Sequence, residues 1–177
     1  MYPVRSRPNG FKYLSFKKRS TCTAQPRSLD CEAATSNGMY LIIGLGNPDE
    51  QYKETRHNVG FKFIDALAKE AKASDFQLEK KLEAEVASGK FNNQKVILAK
   101  PQTYVNNSGV AVKKLKNFYK LKNEQIIIIH DDLDVPFGST KLTPESGAGG
   151  HHGVKSILDQ LKTEKVYRLK IGTGNSK

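Results

Sequence analysis

Four consecutive isoleucines at residues 126–129 constrain the fold more than any other feature of this sequence. β-branched side chains favour extended backbone, and successive side chains of a strand point to opposite faces of a sheet. An unbroken run of this kind therefore predicts a strand that is buried on both faces. Such strands occur where helices cover both sides of a sheet. Residues 40–43 have a similar character and predict a second buried strand.

The following segments alternate between helical and extended apolar spacing. Residues 59–73 carry apolar side chains at helical intervals, which predicts an amphipathic helix. Residues 85–91 and 95–99 are predicted strands, and Asn92 and Asn93 between them are typical of a hairpin turn. Strands and helices therefore alternate through the first half of the domain.

The second half continues this alternation. Ser108 is the predicted amino-terminal cap of a helix. The predicted apolar face of this helix comprises Val112, Leu115, Phe118 and Tyr119. A glycine-rich segment at 147–153 precedes a third predicted helix, and residues 141–143 and 166–171 are predicted strands. This order predicts a single α/β domain with a mixed, mostly parallel sheet flanked by helices.

Residues 1–38 differ in character from the rest of the 177-residue chain. They hold seven Lys or Arg residues against two acidic ones, and they show no apolar periodicity. This composition predicts a disordered basic leader before a domain at 39–177. Two interpretations remain open: an organellar transit peptide for mitochondria or plastids, or an upstream start preceding a true start at Met39. The second interpretation, which we favour, predicts a cytoplasmic protein.

The formal charge of +11 favours a polyanionic partner, although a lysine-rich solvated surface would have the same composition. No apolar run approaches the roughly 20 residues that a membrane helix requires, so no membrane association is predicted. Cys22 and Cys31 both lie within residues 1–38. The domain itself therefore has no thiolate for catalysis or metal binding.

Polar side chains follow three of the predicted strands. Asn47 follows the first strand, Asn106 follows the strand that ends near Pro101, and residues 130–132 follow the isoleucine run. In open α/β sheets, ligands bind where the strands end and loops gather. These side chains are therefore expected to converge at one edge of the sheet. Each asparagine has a simpler interpretation as a turn residue.

His57 is the candidate general base, because imidazole titrates near neutral pH. A base of this kind needs a partner that orients its other ring nitrogen, and Asp131 is the natural candidate. The alternatives are that His57 is a surface or capping residue and that Asp131 is a solvated carboxylate beside Asp132.

Two cofactor sites are disfavoured. His130, Asp131, His151 and His152 include zinc-ligand types, but adjacent histidines point in different directions and no His-x-x-x-His pair exists. The Gly-x-Gly at residues 44–46 lacks the third glycine and the immediate helix of a dinucleotide fingerprint. We therefore predict no metal and no organic cofactor.

Six ordered segments together make the sequence resemble the bacterial-type peptidyl-tRNA hydrolases over residues 39–174. The segments are residues 44–48, 52–65, 100–109, 130–138, 147–157 and 167–172. The resemblance implies hydrolysis of the ester that joins a peptide to the 3′ ribose of tRNA. It further implies a monomeric enzyme that binds peptidyl-tRNA and uses no cofactor.

The resemblance also implies roles for individual residues. His57 would be the catalytic base that activates water, and Asp131 would hold and polarise it. Lys141 and Lys170 would clamp a tRNA phosphate. The implied substrate-binding residues are Asn47, Tyr52, Tyr104, Asn106, Gly149, His151 and His152.

The sequence departs from the family pattern at three points. His152 replaces the usual Asn of a His-Asn-Gly triplet, and Thr143 stands where a second cation is common. The chain also stops at Lys177, whereas the family continues with a lid and a carboxy-terminal helix, so we expect a truncated domain. A non-catalytic RNA-binding relative, similar to plastid splicing-factor proteins, is the alternative function. The retained His57 and Asp131 argue against it.

Overall fold

The computed structural model describes residues 38–144 and 147–174. The predicted leader falls almost entirely on residues 1–37, which lie outside the described residues. The helices are α1 (Val59–Glu70), α2 (Ser108–Tyr119) and α3 (His152–Leu161). The strands are β1 (Met39–Gly44), β2 (Gln77–Glu79), β3 (Ala84–Phe91), β4 (Gln94–Pro101), β5 (Ile126–Pro136), β6 (Thr140–Thr143) and β7 (Tyr167–Gly174).

The strands form one sheet in the order β2-β3-β4-β1-β5-β7-β6. The central pairings β4-β1, β1-β5 and β5-β7 are parallel. The outer pairings β2-β3, β3-β4 and β7-β6 are antiparallel. The predicted α/β class with a mixed sheet is confirmed, with parallel pairing confined to the centre.

Two apolar layers bury the sheet, one on each face. The isoleucine run divides between them, because Ile126 and Ile128 pack with residues of α2 and α3, whereas Ile129 packs with residues of α1. Alternate side chains of a strand point to opposite faces, so this division follows directly from the run. β1 ends at Gly44 beside Ile129, and β5 continues past this point in the middle of the sheet.

Two local predictions about α2 are wrong. Ser108 is its first helical residue rather than its cap, because a short 3₁₀ turn at Val105–Asn107 leads directly into the helix. Phe118 is 64% exposed rather than buried. Its direction is about 120° from that of Val112 and about 60° from that of Leu115, so it lies at the edge of the buried face, in the last turn of α2.

A third correction bears on the site. Residues 130–132 lie inside β5 rather than after it, because pairing with β7 continues from Ile127 to Asp132. The backbone of these residues is therefore fixed by a neighbouring strand, whereas a loop would leave it free. Among the described residues, no helix combines the length and the apolar character needed to cross a membrane.

Candidate active site

His57 and Asp131 are in direct contact. His57 lies in the 3₁₀ turn Arg56–Asn58 that leads into α1. Close packing of Gly60 against the backbone of Leu45 and Ile129 leaves no room for a larger side chain, and it holds this turn against β5. His57 Nδ1 lies 2.9 Å from Asp131 Oδ2. The imidazole is 57% exposed and the carboxylate 4% exposed. The buried carboxylate of Asp131 therefore holds an imidazole ring that solvent can reach.

The second oxygen of Asp131 contacts His151. His151 Nε2 lies 3.1 Å from Asp131 Oδ1, so each carboxylate oxygen has one imidazole partner. Burial by itself raises the pKa of Asp131, but the hydrogen bond with His151 and the interactions with His57 outweigh it and hold the pKa below its usual value. The carboxylate is therefore charged at neutral pH. The contact with His151 was not predicted, because its only signal in the sequence is a histidine before a helix.

The potential metal ligands that lie together in the structure are a different set from the one considered in the sequence. The ligand atoms of His57, Asp131 and His151 all lie within 4.8 Å of one another. However, Nδ1 of His151 accepts hydrogen bonds from the backbone N–H groups of Gly153 and Val154. A neutral imidazole whose Nδ1 is an acceptor carries its proton on Nε2. The nitrogen facing Asp131 then has no lone pair for a metal, which disfavours ligation by His151.

Asn47, in the loop that follows β1, is fixed by three hydrogen bonds. The buried side chain of Asn58 accepts from the Asn47 N–H at 2.8 Å and donates to the Asn47 carbonyl at 3.0 Å. Asn47 Oδ1 in turn accepts from the N–H of Val105 at 2.9 Å. Asn47 therefore ties the loop after β1 to the turn that carries Asn106. Asn58 was not predicted, because an asparagine before a helix has no signal that distinguishes a buried clamp from an exposed cap.

A cleft of about 510 Å³ joins these groups. His57 and Asp131 line it together with the predicted residues Asn106, Gly149, His151 and His152. Asn106 and His152 also line an adjoining groove of about 390 Å³ beside α3. The structure thus brings six of the predicted site residues to one cleft.

The remaining predicted substrate residues, Asn47, Tyr52 and Tyr104, are not part of this cleft lining. The ring of Tyr104 is 56% exposed, and its hydroxyl donates to Asp49 Oδ2 at 3.0 Å. Tyr52 lies in the short turn Glu50–Tyr52, where its N–H donates to the Asp49 carbonyl. The substrate contacts predicted for these residues would therefore be made beside the cleft and not inside it.

Lys141 and Lys170 face each other across β6 and β7 as register partners. Like charges directly opposite on a sheet are destabilising unless an anion lies nearby. Lys170 Nζ pairs with Asp132 Oδ2 at 2.7 Å. Burial raises the pKa of Asp132, but Lys170 and the Asp134 N–H lower it further than burial raises it.

Arg168 of β7 is a third cation on the same face of the sheet as Lys141 and Lys170, and it was not predicted. It lies two residues from Lys170, so both side chains point to one side of the sheet. Arg168 is 2% exposed, and its Nε and one terminal nitrogen have no hydrogen-bond partner among the described residues. Nothing in the sequence distinguishes Arg168 from a basic residue on the exposed face of an amphipathic strand.

His130 is buried between these two groups of residues. It is 1% exposed, and its Nδ1 donates to the Asp131 carbonyl at 2.6 Å. Its ring centroid lies 4.8 Å from that of His151. Burial, and then the neighbouring His151, lower the pKa of His130 to about 4. His130 is therefore a neutral interior residue at neutral pH.

The comparison with protein families identifies the chain. A family model described as peptidyl-tRNA hydrolase matches residues 41–177. The chain belongs to the peptidyl-tRNA hydrolase family. A relative named peptidyl-tRNA hydrolase from Neisseria meningitidis serogroup C is 47% identical over 140 residues, which cover 79% of this chain and 72% of the relative. The peptidyl-tRNA hydrolase of Exiguobacterium sibiricum is 46% identical over 136 residues, covering 77% and 72%.

Solved structures of peptidyl-tRNA hydrolases share the fold. The crystal structure of the enzyme from Acinetobacter baumannii has a TM-score of 0.73 and is 36% identical, covering 79% of this chain and 70% of that chain. The crystal structure of its Arg119Gln mutant gives a TM-score of 0.74 at the same identity. The resemblance to this hydrolase family that the ordered motifs indicated is thus confirmed.

Proposed function

We propose that this chain hydrolyses peptidyl-tRNA at the ester between the peptide and the 3′ ribose, which releases both the peptide and the tRNA. The observation that carries the proposal is the contact of 2.9 Å between His57 Nδ1 and Asp131 Oδ2, with the imidazole exposed to the cleft. Ester hydrolysis at neutral pH needs a base beside a water molecule. Membership of the hydrolase family supports the same reaction.

His57 acts as the general base in this proposal. Its Nδ1–H donates to Asp131, which leaves Nε2 free to accept a proton from the attacking water. The carboxylate stabilises the imidazolium that forms. The water oxygen then bonds to the ester carbon, the bond to the ribose 3′ oxygen breaks, and His57 returns the proton to that oxygen.

Polar groups around the base position the ester. Asn106 and His152 line both the cleft and the adjoining groove, so they are suited to hold the water and the developing oxyanion. Asn47, Gly149 and His151 support this arrangement from the loops around it. Tyr52 and Tyr104 would contact the tRNA end beside the cleft.

The cations of β6 and β7 are proposed to bind tRNA phosphate. Residues 39–177 hold 22 basic and 16 acidic residues, a net charge of +6. Lys141 is exposed and Lys170 is shared with Asp132, so Lys141 offers the freer charge. Phosphate binding by uncommitted cations releases counterions and depends on salt. The cytoplasmic location, the monomeric state and the domain boundary at residue 39 remain predictions.

Turnover of peptidyl-tRNA by the full chain and by a version that begins at Met39 tests the proposal. We expect both to release peptide, and His57→Ala to abolish most of the release while tRNA binding persists. Lys113→Ala, at an exposed position of α2, is the matched control and should retain full turnover. Binding of tRNA without release of peptide by the unmodified chain would contradict the proposal.

A further inference from the structure

Both ring nitrogens of His151 bind groups of the protein itself. Its Nδ1 accepts from the N–H groups of Gly153 and Val154 at 3.1 and 3.3 Å, so His151 is the amino-terminal cap of α3. Its Nε2 lies 3.1 Å from Asp131 Oδ1. The oxygen of a Ser, Thr, Asp or Asn usually fills such a cap. Imidazole differs from these because a second nitrogen, on the far side of the ring, reaches Asp131.

The helix cap determines which nitrogen of His151 carries the proton. A proton on Nδ1 would point at two N–H donors, and a ring protonated on both nitrogens would place positive charge at the positive end of the helix dipole. The stable form is therefore the neutral ring with its proton on Nε2. That N–H donates to Asp131 Oδ1.

The fixed proton of His151 has a consequence for His57. With Oδ1 committed to His151, Asp131 presents Oδ2 to His57, and a carboxylate oxygen only accepts. The Nδ1 of His57 must then be the protonated nitrogen, and its Nε2 is the free base. We infer that His151 is a positioning residue, which uses the amino terminus of α3 to fix the orientation of Asp131 and hence the tautomer of His57.

The inference differs from the substrate-binding role predicted for His151. A residue that only contacts substrate would change KM when it is replaced and would leave the ring of His57 unaffected. A positioning residue lowers kcat and changes the tautomer of His57 while KM stays nearly constant. The kinetic consequence rests on the proposed hydrolysis, whereas the tautomers can be measured without any turnover.

Two substitutions separate the two contacts of His151. In His151→Asn the amide oxygen occupies the place of Nδ1, so the cap is retained but no donor reaches Asp131. In His151→Gln the longer amide can place an N–H near the position of Nε2, so the donor is retained but the cap is lost. We expect the Gln variant to melt about 3 to 5 °C lower.

Nitrogen-15 NMR of the ring nitrogens in the full chain at neutral pH tests the inference directly. In the unmodified protein, we expect His151 to be protonated on Nε2 alone and His57 on Nδ1 alone. In His151→Asn, His57 should become a mixture of tautomers, whereas in His151→Gln it should keep its single form. A proton on Nδ1 of His151, or a His57 signal unchanged by His151→Asn, would overturn the inference.

Kinetics on peptidyl-tRNA provide the second readout. We expect His151→Asn to lower kcat about tenfold with KM within twofold, which is less than the cost of removing the orienting carboxylate itself. His151→Gln should recover at least about a third of the lost kcat. A raised KM at unchanged kcat in His151→Asn would assign His151 to substrate binding and overturn the inference. Absence of turnover in the unmodified chain would instead contradict the proposed function, and the NMR result would still decide the role of His151.

Discussion

The cluster of His57, Asp131 and His151 and the cationic strand pair of β6 and β7 differ in how completely their polar and charged groups are paired. In the cluster, each oxygen of Asp131 has one imidazole partner, so the positions of the protons are determined. In the strand pair, Lys170 is paired with Asp132 and Arg168 is 2% exposed, whereas Lys141 is exposed and offers the freer charge. General-base chemistry needs protons at fixed atoms, whereas binding a polyanion needs charge that the protein has not already neutralised.

His57→Ala is expected to have the largest effect and to separate the two regions most sharply. Turnover should fall about 100-fold or more, because the base is lost. The melting temperature should stay near that of the unmodified protein, since the side chain is 57% exposed. Steady-state kinetics, thermal melting and tRNA binding measure the three properties. Near-normal turnover would show that the cluster does not perform the chemistry.

Acidification should destabilise the protein through His130, which lies between the two regions. Its folded pKa of about 4 lies below the unfolded value of 6.5. The unfolded chain therefore binds more protons between these pH values, so stability is lost as pH falls from 6.5 towards 4. At pH 4.5 this amounts to about 2 to 3 kcal/mol relative to pH 7.

The substitution His130→Asn isolates this contribution, because an amide keeps a donor for the Asp131 carbonyl and does not titrate. Urea unfolding at pH 7 and pH 4.5 measures the difference for both proteins. We expect the Asn variant to lose less stability on acidification by about the same 2 to 3 kcal/mol. Equal losses in the two proteins would place the titration elsewhere.

Asp131→Asn should reduce turnover by less than His57→Ala, about 30-fold or 2 kcal/mol of barrier. The amide keeps the shape of the carboxylate but removes the charge that favours imidazolium. Asp132→Asn is the matched control, because Asp132 pairs with Lys170 and not with either histidine of the cluster. We expect it to change turnover less than Asp131→Asn. A greater loss in the Asp132 variant would show that Asp132, and not Asp131, is the carboxylate that acts in catalysis.

His152→Asn should raise turnover about tenfold, equivalent to about 1.4 kcal/mol of barrier. Asparagine is compact and holds a donor and an acceptor close to the backbone, whereas imidazole places them on opposite sides of a rigid ring. A water held between Asn106 and position 152 should therefore be better oriented in the variant. Affinity for tRNA should change little. Lower turnover would indicate that His152 has a catalytic role of its own.

Lys141→Ala and Lys170→Ala should have the smallest effects, and those effects should concern binding. We expect a loss of affinity of a few fold at low salt and a salt slope reduced by about one in each variant. Lys170→Ala also leaves Asp132 without its partner, so the double variant with Asp132→Asn serves as its control. Titration of tRNA at several salt concentrations measures the slope. Unchanged slopes in both variants would place the phosphates elsewhere.

Most of the fold and part of the site could be predicted from local patterns. These patterns depend only on neighbouring residues. The isoleucine run corresponds to β5, the Asn92-Asn93 turn to the β3-β4 hairpin, and the helical spacing of residues 59–73 to α1. The pairing of His57 with Asp131 was predicted from the chemistry of a general base, and the contact is present. Ser108 was assigned wrongly because a turn precedes α2, and Phe118 because it lies at the edge of the buried face in the last turn of that helix.

The sequence by itself determined the α/β class and the membership of a hydrolase family, because both depend on residue type and order. It also predicted His57 as the base and Asp131 as its partner. Only the tertiary structure decided which atoms meet. The Asn58 clamp on Asn47 spans 11 positions, and the contact of His151 with Asp131 spans 20. The cap of α3 then decides the proton on His151, since a tautomer depends on what both ring nitrogens contact in the folded protein.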